Sequence, residues 1–159
     1  MDVSVVILNY NTFDLTCDCI TSVMNNTLGC TYEIILVDNA STERDPREFV
    51  KRFPGIRLIQ NKSNTGFAGG NNEGIKHAQG EYILLLNSDT VLKNNAIDIC
   101  LNFLKANKTV AVVGAKLFYP DRRIQHNCQR FPSLRCKVFE LFRLQKILGA
   151  KVSGKILLG

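Results

Sequence analysis

Five apolar runs, at residues 3–8, 33–37, 56–60, 82–86 and 110–114, recur at intervals of roughly 25 residues. They are rich in Ile, Val and Leu and do not alternate with polar residues. Runs of this kind suit strands buried on both faces of a parallel sheet. Helical stretches are expected between them, at 13–26, 47–53, 71–78 and 95–106. In the first, Leu15, Cys19, Ile20 and Val23 share one face, and Thr12 is placed to cap it. The second follows Pro46, a residue that suits a first helical turn. Strand and helix therefore alternate from residue 3 to 114, which predicts an α/β fold with crossover helices.

A parallel sheet brings the carboxyl ends of its strands to one edge, where ligands of open α/β folds bind. Four loops then share that edge: 9–11, 38–41, 61–70 and 87–90. Each is crowded with Asn, Asp, Ser or Gly, residues that turn chemistry alone also favours. Two of the strand ends carry carboxylates, Asp38 and Asp89. Asp38 can accept a hydrogen bond from a nucleobase N–H or a ribose hydroxyl, or can form an Asx turn or helix cap. Asp89 can hold a divalent cation, Mg²⁺ or Mn²⁺, whose other ligands are phosphate oxygens and water, with Asn87 adding a neutral oxygen. Alternatively it ends its strand in a turn or caps the next helix. Residues 64–74 contain glycines at 66, 69, 70 and 74. They do not form GxGxxG and do not follow the first strand, which argues against a dinucleotide site. Their backbone amides suit an anion or a ribose edge, and a tight turn needs them equally.

The chain has 159 residues, which suits one domain, and no apolar run reaches the length of about 20 that spans a bilayer. Six cysteines, at 17, 19, 30, 100, 128 and 136, form no CxxC pair and match no zinc spacing, so free thiols are expected. Residues 1–115 hold 10 Lys/Arg and 12 Asp/Glu, a net of −2, while residues 116–159 hold 10 and 2, a net of +8. Basic residues are not interleaved with aromatics on a recognition element, so nucleic acid is not the expected partner. A membrane surface or a phosphate-bearing acceptor fits the basic stretch, as does a plain solvated face. Residues 116–125 suggest a hairpin turning at Pro120 and Asp121, and residues 134–148 a basic amphipathic helix. Residues 149–155 fit G-x-x-x-x-G-K, but Ile156 stands where a P-loop needs Ser or Thr. His77 and His126 are too far apart in sequence to suggest a metal site.

The motifs, in order, resemble those of the inverting family 2 glycosyltransferases with a GT-A fold, nearest to the rhamnosyltransferase-like members. Val5-Val6-Ile7-Leu8-Asn9-Tyr10-Asn11 is similar to the opening strand and nucleotide loop, and Val37-Asp38-Asn39-Ala40-Ser41 to the second nucleotide motif. Asn64-Thr65-Gly66-Phe67-Ala68-Gly69-Gly70-Asn71-Asn72 resembles the central signature, and Leu86-Asn87-Ser88-Asp89-Thr90 a degenerate DxD motif with Asn for the first Asp. The resemblance covers about residues 3–133 and implies a GT-A, Rossmann-like, mostly parallel sheet with helices on both faces. It implies a UDP- or dTDP-sugar donor, with Asp38 on the base, Asn9, Tyr10 and Asn11 lining its pocket, and Asn39, Asn64, Gly66, Gly69, Asn71 and Asn87 around the nucleotide. Asp89 is the implied metal ligand. The implied setting is bacterial polysaccharide synthesis in the cytoplasm, with the basic stretch at the inner face of the membrane.

One departure stands out. The family's general base lies in an acceptor-binding half, and nothing after Phe131 resembles its Gly-Glu-Asp-like motif. The expectation is therefore a donor-binding domain at 1–133, a basic tail at 134–159 leading towards an acceptor half, and a catalytic base beyond Gly159. Such a part is expected to bind nucleotide but to transfer sugar to a glycan or lipid-linked acceptor weakly or not at all. A non-catalytic nucleotide-binding module is the alternative. A sugar nucleotidyltransferase fits less well, because residues 9–12 lack the glycine, Arg and Lys such a first loop needs.

Overall fold

The computed structural model describes residues 1–125. Four parallel strands, β1 (Val3–Asn9), β2 (Tyr32–Asp38), β3 (Arg57–Gln60) and β4 (Tyr82–Asn87), form one sheet in the order β3-β2-β1-β4. Each apolar run up to residue 86 thus becomes a strand, within a residue or so of its expected ends. Helices α1 (Phe13–Asn26), α2 (Arg47–Arg52), α3 (Gly66–Lys76) and α4 (Ala96–Ala106) follow the four strands in turn. The chain steps from β1 to β2 to β3 in one direction and then returns past β1 to lay down β4. Right-handed crossovers put helices on opposite faces when that direction reverses. Accordingly α1 and α2 share one face and α3 takes the other, and α4 joins α1 and α2, so that Phe13, Ile20, Phe49, Ile97 and Leu101 cluster with Val5, Ile7, Ile34 and Leu36. On the other face lie Val6, Ile35 and Val37, which α3 approaches.

Several expectations need correction. Residues 110–114 form no strand, and Val112 is 83% exposed. An apolar run becomes a strand only where a neighbour takes its backbone bonds, and no described strand pairs with this one. Among the described residues β4 is an edge strand, and only Tyr82, Leu84 and Leu86 pack against the core cluster, while Ile83 and Leu85 on the other face are about half exposed. α3 begins at Gly66, five residues earlier than expected, so most of the glycine-rich stretch is helix. Leu15 is half exposed, because α1 turns Phe13, Cys17, Ile20 and Val23 to the sheet instead. Thr12 sits at the N-cap of α1 without capping it: its hydroxyl goes to Asn9, and the Phe13 amide donates to Glu43 Oε2 at 3.2 Å.

The chain divides after Val113 into two compact units. In the second, the expected hairpin is present, with β5 (Leu117–Phe118) antiparallel to β6 (Ile124–Gln125) and Arg122 at φ 66° in the turn. Cys17, Cys19, Cys30 and Cys100 are free thiols. Among the described residues no helix is long and apolar enough to cross a membrane. His126, the other two cysteines, the expected amphipathic helix, the P-loop-like stretch and the boundary at 133 lie outside the described residues.

Candidate functional site

The reversal of strand order falls between β1 and β4, and the crevice of an open parallel sheet lies beyond the carboxyl ends of the strands flanking such a point. A cleft of about 430 Å³ opens there. Leu8, Tyr10, Thr12 and Leu15 line it from β1 and the start of α1, and Asn87, Ser88 and Asp89 from the end of β4. Asn39, Asn64, Gly66 and Phe67 close the remaining side. Parallel pairing therefore brings four segments far apart in sequence to one opening.

The polar side chains at this edge fall into two groups. One group, in which Asn9, Asp38 and Asn39 are buried, binds the loops to each other. Asn9 and Asp38 are each 2% exposed. Asn9 Nδ2 donates to Asp38 Oδ1 at 2.7 Å and to Ser41 Oγ at 3.0 Å, and its Oδ1 accepts from the Thr12 and Thr16 hydroxyls. The other oxygen of Asp38 accepts the Ser41 amide at 3.1 Å. Asn11, at φ 53°, accepts the Thr42 and Glu43 amides on its side-chain oxygen. Ala40 in the same loop is held at φ 62°, a conformation that costs an L-residue about 1 kcal/mol. These bonds join the first loop to the second. Asn39 joins the second to the third through Asn61, Asn64, Thr65 and Gly66. The Thr12 and Ser88 hydroxyls meet at 3.2 Å and join the first loop to the fourth.

The second group faces the opening. Tyr10 and Phe67 are exposed aromatic residues that both line it. The Asp89 carboxylate is exposed and takes no hydrogen bond or ion pair from the described residues. Beneath it, Cys19 Sγ donates to the Asn87 carbonyl at 3.5 Å. Burial, and then the charge of Asp89, push that thiol up to about 12, so it stays neutral and takes no part as a nucleophile.

Of the residues singled out in the sequence, Tyr10, Asn39, Asn64, Gly66, Asn87 and Asp89 line the cleft. Asn9, Asn11 and Asp38 stand behind them in the loop network. Gly69 and Asn71 lie within α3, where Asn71 donates to the Phe67 carbonyl. Sequence reading missed Leu8, Thr12, Leu15, Phe67 and Ser88 as lining residues. An aromatic between glycines was the available signal for Phe67. Leu15 carried none, since it fits an apolar helix face.

Residues 4–156 match the family described as Glycosyl transferase family 2. The chain belongs to that family. It is 35% identical over 119 residues to poly(ribitol-phosphate) beta-glucosyltransferase of Bacillus spizizenii, a match covering 72% of this chain and 19% of that protein. It is 32% identical over 116 residues to poly(ribitol-phosphate) beta-N-acetylglucosaminyltransferase TarP of Staphylococcus aureus, covering 70% of this chain and 36% of TarP. The fold matches the crystal structure of S. aureus TarS 1-349 in complex with UDP-GlcNAc, with a TM-score of 0.61 at 21% identity, over 68% of this chain and 32% of that one. These matches span between a fifth and two-fifths of each relative's length. The names carry glucosyl and N-acetylglucosaminyl transfer, and no rhamnosyl transfer. The family match and the TarS fold establish the GT-A-like α/β architecture expected from the motifs.

Asp89 was also the expected metal ligand. Among the described residues no three His, Cys, Asp or Glu side chains gather to hold an ion. The cleft supplies one unpaired carboxylate with Asn87 and Ser88 beside it. That donor set fits a hard cation that draws its remaining ligands from phosphate and water, as Mg²⁺ commonly does.

Proposed function

We propose that the chain forms the donor-binding part of a glycosyltransferase that uses a nucleotide-sugar. The observation that carries this is the cleft at the strand-order reversal, which is lined by an exposed carboxylate with no ion pair among the described residues and by exposed aromatics, within a family 2 fold. Tyr10 offers a ring face to the base, and Asn64 and Gly66 offer polar groups to the nucleoside. Each oxygen of Asp38 carries one protein hydrogen bond and keeps a further lone pair, which a base N–H reaches if the 40–43 loop shifts. Asp89, with Asn87, holds the cation, which when bound offsets the charge that develops on the departing diphosphate.

In the reaction an acceptor hydroxyl oxygen bonds to the anomeric carbon while the bond from that carbon to the diphosphate oxygen breaks, inverting the centre. Among the described residues Asp89 is the one carboxylate lining the cleft, and the base that takes the hydroxyl proton is proposed to be a different group. UDP-N-acetylglucosamine, the ligand of the TarS structure, is the first donor to try. The relatives named for poly(ribitol-phosphate) suggest a phosphate-bearing acceptor, and the net +8 of residues 116–159 suits one.

A thermal-shift screen of UDP, dTDP, GDP and their sugars, with and without Mn²⁺, tests the donor reading. UDP or dTDP species should raise the midpoint, more so with the metal. A flat response to every nucleotide would remove the proposal. A nucleotide-binding module without transfer would give the same shift but no transfer when assayed within the longer protein.

A further inference from the structure

Asn39 is 2% exposed, yet its side-chain amide meets five groups of the third loop. Its Oδ1 accepts from Asn61 Nδ2 at 2.9 Å, the Thr65 amide at 3.1 Å and the Thr65 hydroxyl at 3.1 Å. Its Nδ2 donates to Asn64 Oδ1 at 2.8 Å and to the Gly66 carbonyl at 3.3 Å. Backbone groups fix which end is which, since the Thr65 N–H can only donate and the Gly66 carbonyl can only accept. Asn64 is fixed in turn, because its Oδ1 also accepts the Gly66 amide at 2.8 Å. Among side chains this short, only Asn has this combination, since Gln carries the same amide one methylene further out. A carboxylate would set oxygen against Asn64 Oδ1 and the Gly66 carbonyl, and a hydroxyl could not reach both sides.

The contacts have two consequences for the cleft. Asn64 and Gly66 line it, so the clamp sets where they stand. The Thr65 hydroxyl, which an N-cap residue would turn to the first amides of α3, is drawn to Asn39 instead, and α3 starts with no side-chain cap. Gly66, at φ 74°, supplies the left-handed residue this bend requires.

We propose that Asn39 is a positioning residue: its buried amide holds the 61–66 loop and the start of α3 in the conformation that binds the donor. The proposal rests on the donor-site reading for its binding consequence alone. It is tested on the chain by amide hydrogen exchange together with calorimetric titration of UDP and Mn²⁺, for wild type, Asn39→Ala and Asn39→Asp. Both variants should speed exchange at Thr65 and Gly66 by about tenfold or more while β1 and β2 stay protected, and should weaken UDP binding by about tenfold, Asn39→Asp the more. Loosened 65–66 amides with unchanged affinity would overturn the proposal, and so would unchanged exchange. Should either variant lose the sheet's protection as well, Thr65→Val, which removes a single hydroxyl from the clamp and nothing that lines the cleft, is expected to give the same paired effect at smaller size. Faster exchange without weaker binding in Thr65→Val would equally overturn it. A wild-type chain that binds no UDP would sink the donor reading instead, and the exchange pattern alone would then decide whether Asn39 is the clamp.

Discussion

On one face of the sheet, three helices bury Phe13, Ile20, Val23, Phe49 and Leu101, and Phe13 and Phe49 stack with ring centroids 4.3 Å apart. On the other face α3 turns Gly70, Asn71 and Gly74 inward, and the strand residues under it are Val6, Ile35 and Val37. The first face is held by apolar area. The second is held by closeness: a Cβ at Gly74 would come within 2.4 Å of Val6 Cγ1 and 3.0 Å of Val37 Cγ2. Each glycine costs a helix about 1 kcal/mol relative to Ala, so α3 is weak on its own account. Of the two helices that start at the cleft, α1 and α3, it is α3 that has the smaller core beneath it, and Asn39 fastens its front. Sites that must adapt to a ligand are commonly drawn from such low-stability elements.

Mutations on the two faces test that contrast. Phe49→Ala, on the area-held face, should cost about 3–5 kcal/mol of unfolding free energy by urea titration. A loss under about 1 kcal/mol would mean that this face is not the main source of stability. Gly74→Ala should cost about 1–3 kcal/mol despite the better helix former, because the added methyl pushes α3 off Val6 and Val37. A stabilised Gly74→Ala would break the claim that closeness holds α3. Ile83→Thr, on the α3-side face of β4 where the side chain is about half exposed, should change stability by no more than about 0.5 kcal/mol. A larger loss would show that this side of β4 is covered in solution.

The same contrast explains what the sequence made legible. The runs at 3–8, 33–37, 56–60 and 82–86 announced their strands because parallel strands covered by crossover helices need continuous apolar length, and α1 announced itself by its spacing. The run at 110–114 looks alike but has no described partner, and composition does not record whether a neighbour is present. The start of α3 was hidden because glycines read as loop; only the valines beneath them show why a helix there needs glycine. At the edge of the sheet, residue types identified the loops and the cleft correctly. They did not show that Asn9 and Asp38 turn inward to each other and Asn39 to the third loop, while Tyr10, Phe67 and Asp89 are exposed, since that division depends on register between strands some 30 residues apart.

The central claim is a metal-assisted nucleotide site at Asp89, and the most direct measurement is calorimetric titration of UDP-N-acetylglucosamine into wild type and Asp89→Ala, with and without Mn²⁺. Wild type should bind more tightly with Mn²⁺, and Asp89→Ala should lose that gain while keeping its thermal midpoint, since the carboxylate supports no described contact. Equal binding by both proteins whether or not Mn²⁺ is present, or no binding by wild type under any condition, would contradict it.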